Sequence, residues 1–162
     1  MKNSLMPLAT LMFLTLAATL FLSVNATQEA QAHCQVPCGI YDDGARITRL
    51  QEDTATIKKA CDFINMFAEG EATPVGINQV ARWVQTKEDH ASHIITVVSE
   101  YFLTQKVKTK AKGSAEYAAY LDSLAKHHAV MVAAMKTKQQ VSSKAVHDLE
   151  HAIGALGALY AN

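Results

Sequence analysis

Only three prolines and seven glycines punctuate the 162-residue chain. Outside a few places it lacks the breakers that divide a sheet protein into short strands and turns. No stretch alternates apolar and polar residues over strand length, and no segment repeats. Charge of one sign is missing too. Lys plus Arg and Asp plus Glu number 15 each, so the formal net charge is zero. With no basic excess and no basic face, a nucleic-acid partner is not expected. No Glu-x-x-His element occurs, which speaks against the di-iron class of helical bundles. Abundant alanine with so little Gly and Pro favours helices, in one domain large enough for a single core.

The first 32 residues have the make-up of a secretory leader. Lys2 supplies a positive start, Leu5 to Val24 an apolar run broken by little more than Thr and Ser, and Ala30-Gln31-Ala32 a small-x-small cleavage site. An uncleaved anchor is the alternative, since the run is nearly long enough to span a bilayer. The polar stretch and the cleavage site favour removal. A lipid-anchored reading fails because His33, not a small residue, precedes Cys34. The mature chain is therefore expected to begin at His33 and to be secreted or periplasmic, with no membrane association once the leader is gone.

Cleavage after Ala32 changes the chemistry of the new N-terminus. Residues 33–41 read His-Cys-Gln-Val-Pro-Cys-Gly-Ile-Tyr. At a free N-terminus His33 offers an imidazole and an α-amine, and an amine with a pKa near 8 can bind metal at neutral pH. The Cys34 amide nitrogen can lose its proton and close a five-membered chelate with that amine. Cys34 and Cys38 add two soft thiolates. Amine, amidate and two thiolates suit a square-planar d8 ion, so Ni(II) ranks first and Cu(II) second. Zinc would prefer a tetrahedron. In an oxidising compartment the competing state of the two cysteines is a small disulfide loop.

The pattern His33-Cys34-x-x-Pro37-Cys38-Gly39-x-Tyr41 at a processed N-terminus resembles the nickel hook of the nickel-containing superoxide dismutases. Ser99-Glu100-Tyr101-Phe102 resembles the segment that follows a helical histidine in that family. The resemblance implies an enzyme that disproportionates superoxide to dioxygen and hydrogen peroxide by Ni(II)/Ni(III) cycling. It implies His33, Cys34 and Cys38 as metal ligands, with the His33 imidazole axial. Tyr41 would stand over the open face as the catalytic residue that orders solvent and admits small anions. Pro37 would restrict the backbone so that Cys38 turns back towards Cys34, and Gly39 would allow close approach. Lysines near the hook would steer superoxide. The family assembles as homohexamers. Its Glu and Arg that orient the axial imidazole align with Thr48 and Thr86 here, so Arg46, Glu52 and Lys87 are the candidates to replace them. A helical binding or structural protein with a Cys34–Cys38 disulfide, and a nickel or copper carrier, are the alternatives.

From Asp42 the chain predicts an up-and-down four-helix bundle over residues 42–162, all-α, behind the hook at 33–41. Asp42 or Asp43 caps the first helix, Ile47, Leu50, Thr54, Ile57, Cys61, Ile64 and Ala68 form its inner stripe, and Gly70 ends it. Thr73 and Pro74 open the second, which runs to about Leu103 with Val80, Trp83, Val84, Ala91, Ile94, Val97, Val98 and Tyr101 inside. Residues 106–113 connect. Ser114 caps the third, whose inner residues are Tyr117, Leu121, Leu124, Val130, Met131 and Met135. Residues 136–142 form a polar loop. Val146, Leu149, Ile153, Leu156 and Tyr160 line the last helix.

The remaining candidates have plainer readings. Cys61, on an inner stripe, reads as a small buried apolar residue rather than a third thiolate. His147-Asp148-Leu149-Glu150-His151 matches a zinc-peptidase string but reads as a solvated helix face. His127 and His128, adjacent and pointing apart, read as surface residues. His90 and His93, three apart, can meet on one face, and read as packing or surface polarity. Tyr101, Tyr117 and Tyr120 are interface aromatics or ordinary packing.

Overall fold

The structure is a computed structural model that describes residues 41–161. The leader, and the hook residues His33, Cys34, Pro37, Cys38 and Gly39, lie outside the described residues. Helix α1 spans Asp43–Ala68, α2 Pro74–Thr96, α3 Tyr117–Gln139 and α4 Ser143–Gly157. A π-helical segment, Val97–Lys106, prolongs α2 by ten residues. Each helix packs on the next, and α4 closes against α1, which makes an up-and-down four-helix bundle.

Local chemistry sets the helix starts. The Asp42 carboxylate accepts from the Ala45 amide at 2.8 Å, Thr73 Oγ1 from Gly76 at 3.1 Å and Ser142 Oγ from Ala145 at 3.2 Å. Each satisfies one of the amides that a helix start leaves without a partner. Pro74, at the first helical position, has no amide to orphan. Two expected boundaries are corrected. α1 stops at Ala68 with Glu69 still right-handed, so Gly70 follows the helix instead of turning it. Ser114 is not the cap of α3. Its carbonyl accepts from the Tyr117 amide at 3.2 Å in a turn that the left-handed Gly113 (φ 90°) makes possible, and α3 begins after Glu116.

The inner stripe of α1 is as expected from Ile47 to Ile64, and that of α4 from Val146 to Leu156. Cys61 is buried in the core among them. Helices α1 and α4 approach closely at Gly157, where a Cβ would stand 3.2 Å from Ile47 Cγ2. On α2, Trp83 stacks on Phe63 with ring centroids 4.7 Å apart, while Val84 turns outward. On α3 the phase differs from expectation. Leu121 and Met135 face out, and His127, Val130, Ala134 and Thr137 face in. The inner face is set by small and polar residues in steps of three and four, so the large apolar residues mark the wrong phase. His127 is therefore a core residue and not a surface one. The loop at 136–142 shrinks to 140–142, because α3 runs on to Gln139.

Candidate metal centre

Of the expected catalytic and metal-binding residues Tyr41 alone lies within the described chain, and α1 begins two residues after it. Its hydroxyl lies 3.3 Å from Gln105 Oε1, which accepts from it. Its ring centroid is 6.0 Å from that of Tyr101, and Lys106 Nζ stands 4.8 Å above the ring. Tyr101 in turn donates to Asp43 Oδ1 at 2.7 Å, and Asp43 Oδ2 pairs with Lys106 at 3.1 Å. Arg46 lies over the Tyr101 ring at 5.1 Å. The start of α1 thus supplies Tyr41, Asp43 and Arg46, and the π segment supplies Tyr101, Gln105 and Lys106.

The π geometry is what brings the second set to the first. Hydrogen bonds there reach back five residues: Thr104 Oγ1 to the Ser99 carbonyl at 2.7 Å, and the Val107 amide to the Phe102 carbonyl at 2.9 Å. The wider turn buries Tyr101 and Phe102 side by side and leaves Gln105 and Lys106 facing Tyr41. Such segments concentrate at functional sites. Burial, reinforced by the Asp43 hydrogen bond, pushes the Tyr101 phenol up to about 12. It is a neutral donor at any physiological pH. A cavity of about 160 Å³ opens beside it, lined by Arg46, His93, Thr96, Val97, Glu100 and Tyr101.

About two helical turns further along the bundle lies a second polar group. Asp53 is fully buried. Nδ1 of His90 donates to its Oδ1 at 2.7 Å and Nδ1 of His93 to its Oδ2 at 2.6 Å, with Arg49 Nε 3.6 Å from Oδ1. The two imidazoles do share a face, and a buried carboxylate is what joins them. Thr48 is exposed, and Thr86 donates back to the Arg82 carbonyl within its own helix. Lys87 is buried against the last carbonyls of α3, 2.6 Å from Thr137 O and 2.7 Å from Lys138 O. That is roughly four helical turns from Tyr101, too far to act on a ligand beside Tyr41. His147 and His151 lie on the exposed side of α4, as expected, and among the described residues no group of three or more His, Cys, Asp or Glu side chains is placed to hold a metal ion.

The family model described as nickel-containing superoxide dismutase matches residues 28–162. The chain belongs to the nickel-containing superoxide dismutase family. It is accordingly an enzyme, with nickel as its cofactor and superoxide as its substrate. No curated protein and no solved structure gives a significant match. The side chains at 33–38 include an imidazole and two thiols, donor types that suit nickel. The third thiol, Cys61, is no competitor. Burial pushes it above its ordinary range and it sits inside the core.

Sequence reasoning offered Arg46 as a replacement partner near the site, but missed Asp43, Gln105 and Lys106 around Tyr41 and Tyr101, and placed Tyr101 only as an interface or packing aromatic. For Tyr101 a signal was present, since it lies within Ser99–Phe102, the second segment that resembles the family. For Gln105 and Lys106 there was none, because they reach the site only through five-residue turns.

Proposed function

We propose that this nickel superoxide dismutase is exported, cut after Ala32, and holds its metal through the first six residues of the mature chain. His33 would hold it through its amine and imidazole, Cys34 through its amide nitrogen and thiolate, and Cys38 through its thiolate. Nickel held there would supply a one-electron redox couple for the disproportionation. Two superoxide ions and two protons give one dioxygen and one hydrogen peroxide.

The chain's own residues do the rest. Three anionic donors push electron density towards the metal. Tyr41 covers the open face, with its hydroxyl anchored on Gln105 and its ring beside Tyr101 and Lys106. The neutral Tyr101 phenol and the Asp43–Lys106 pair fix that ring without placing an unpaired anion in the path of an anionic substrate. The observation that carries this reading is the hook motif lying directly behind a signal-peptidase site in a chain that matches the family. Export to a secreted or periplasmic location follows from the same leader. Among the described residues no helix is long and apolar enough to cross a membrane. The exposed Met66, Val75, Ile77 and Val84 around the α1–α2 turn support assembly into the homohexamer typical of the family.

Mass spectrometry of the purified mature protein tests this. The expected result is a chain starting at His33, with one nickel and both hook thiols reduced. One residue added ahead of His33 should abolish both nickel retention and dismutation. A different start with full activity, or a Cys34–Cys38 bridge in the active protein, overturns the coordination.

A further inference from the structure

We propose that His90 and His93 form a second transition-metal site, separate from residues 33–38, in which the buried Asp53 orients both imidazoles towards one divalent ion. The site stands whether or not the chain is a dismutase. His90 and His93 lie three residues apart on α2 and share a helix face. Residues so spaced have Cβ atoms about 5–6 Å apart, a span that one ion with nitrogen bonds of about 2.0–2.1 Å can bridge. Such a pair alone is a weak signal, and Asp53 makes it specific. Its carboxylate, fully buried on α1, stands 2.7 Å from Nδ1 of His90 and 2.6 Å from Nδ1 of His93. An ionised carboxylate can only accept, so the Nδ1 atoms carry the protons and the neutral rings keep their lone pairs on Nε2.

A metal-ligating histidine usually donates its other ring N–H to a carboxylate or carbonyl, which fixes its tautomer and raises its basicity. Here one carboxylate does this for two rings. Among the described residues neither Nε2 has a hydrogen-bond partner. Both rings are within reach of an ion in solution, with side chains 26% and 44% exposed. They line one cavity of about 180 Å³ together with Arg49 and Asp89. The Arg49 guanidinium is already engaged, 3.2 Å from Glu52 and 3.6 Å from Asp53. Three carboxylates, of Glu52, Asp53 and Asp89, thus face one guanidinium, and the surplus of negative charge favours a divalent cation. The protein gives two nitrogens, so water or the Asp89 carboxylate completes the coordination. Imidazole donors suit zinc, copper and nickel. An ion held by the folded chain alone would also stabilise it.

Zinc(II) titrated into the nickel-loaded protein tests the site without reading activity. One equivalent should bind beyond the nickel, and the ring NMR signals of His90 and His93 should move while those of the other histidines stay. The denaturant midpoint should rise with zinc. His90→Ala/His93→Ala should abolish both effects. Asp53→Asn, with its fold checked by circular dichroism, should weaken zinc binding about 10–100-fold, the usual loss when the partner of a ligating histidine is removed. The Cys34→Ser/Cys38→Ser protein, which lacks the hook thiolates, should show the same ring shifts, so a failure of the nickel reading leaves this test intact. His147 and His151, four apart on the exposed side of α4, are the internal control. Zinc that moves their signals and not those of His90 and His93 overturns the site, and so does binding that survives His90→Ala/His93→Ala. A folded Asp53→Asn protein that binds zinc as the parent does overturns the orienting role of the carboxylate.

Discussion

The Tyr160 hydroxyl donates a hydrogen bond of 2.8 Å to Nε2 of His127. On the other side of the ring, Nδ1 faces the Ser123 carbonyl at 2.7 Å and must carry the proton. The imidazole is fully buried, with the Phe102 ring centroid 5.7 Å away. Both of its nitrogens are thus satisfied in the neutral form. The pair joins α3 to the turn that ends α4, beside the same π segment that carries Tyr101.

This neutral histidine makes the fold acid-sensitive. Burial holds its pKa below the ordinary 6.5. As pH falls through that value the unfolded chain takes up a proton that the folded chain refuses, so stability is lost on the acid side of about 6.5. Urea unfolding followed by circular dichroism should show a declining midpoint between about pH 7 and pH 5. His127→Phe should remove that part of the decline. Tyr160→Phe should cost about 1–3 kcal/mol at neutral pH, because Nε2 is then buried without a donor. A midpoint that follows pH equally in the parent and in His127→Phe would place the acid sensitivity elsewhere.

At the alkaline end the tyrosines act with the opposite sign. Burial pushes Tyr101 and Tyr160 from 10.0 up to about 12, with the Asp43 hydrogen bond adding to Tyr101. Both phenols hold their protons longer in the folded state. Their contribution is complete below pH 10 and fades as pH rises towards 12. An ultraviolet titration of the folded protein should therefore still find Tyr101 and Tyr160 un-ionised near pH 11. Asp43→Asn should advance Tyr101 relative to Tyr160. Ionisation of Tyr101 and Tyr160 near pH 10 in a protein that stays folded would contradict the packing around them.

The bundle was legible because its main signals are local and redundant. Asp42 and Thr73-Pro74 mark starts that the structure keeps, and α1 and α4 carry apolar stripes whose phase admits one answer. The phase of α3 was not legible. Its inner face is built from Ala133, Ala134, Thr137 and His127, and a stripe of small and polar residues leaves no hydrophobic period. The switch from α to π geometry after Thr96 leaves no pattern in composition either, yet it decides which side chains surround Tyr41. Tyr41 could be singled out only through the motif it belongs to. Asp53 escaped notice for a similar reason, since an acidic residue beside the inner stripe of α1 looks solvated until its partners on α2 are known.

Asp53 is the polar anchor between α1 and α2. Both of its oxygens are engaged by imidazoles and it has no access to solvent. Replacing it with alanine should cost about 2–4 kcal/mol, the loss of two charge-assisted hydrogen bonds offset by rehydration of the partly exposed rings. Asp53→Asn preserves shape but one end of an amide cannot accept, so it should keep one bond and cost about half as much. His90→Ala and His93→Ala should each cost less than Asp53→Ala, and their sum should differ from the double variant because they share one acceptor. Denaturant midpoints with unchanged slopes measure these effects. A neutral Asp53→Ala would mean that the three side chains are not coupled.

Cys61 is a structural thiol, set apart from the pair proposed to bind the metal. It lies on the inner stripe of α1, 3% exposed. Burial raises its pKa above 9.0, and Asp62 adds to the rise while Lys87 opposes it. A thiol that stays protonated is neither a good nucleophile nor a good ligand. In metal-free, reduced protein, iodoacetamide should modify Cys34 and Cys38 under native conditions and Cys61 only after unfolding, as read by peptide mass mapping. Cys61→Ala should lower stability by about 1 kcal/mol through the small cavity it leaves, and should leave nickel content unchanged. Cys61→Ser should cost more, about 1–3 kcal/mol, because a hydroxyl would be buried where a sulfur now packs. Nickel content that fell with Cys61→Ala in a still-folded protein would return this third sulfur to the ligand set and displace either Cys34 or Cys38 from it.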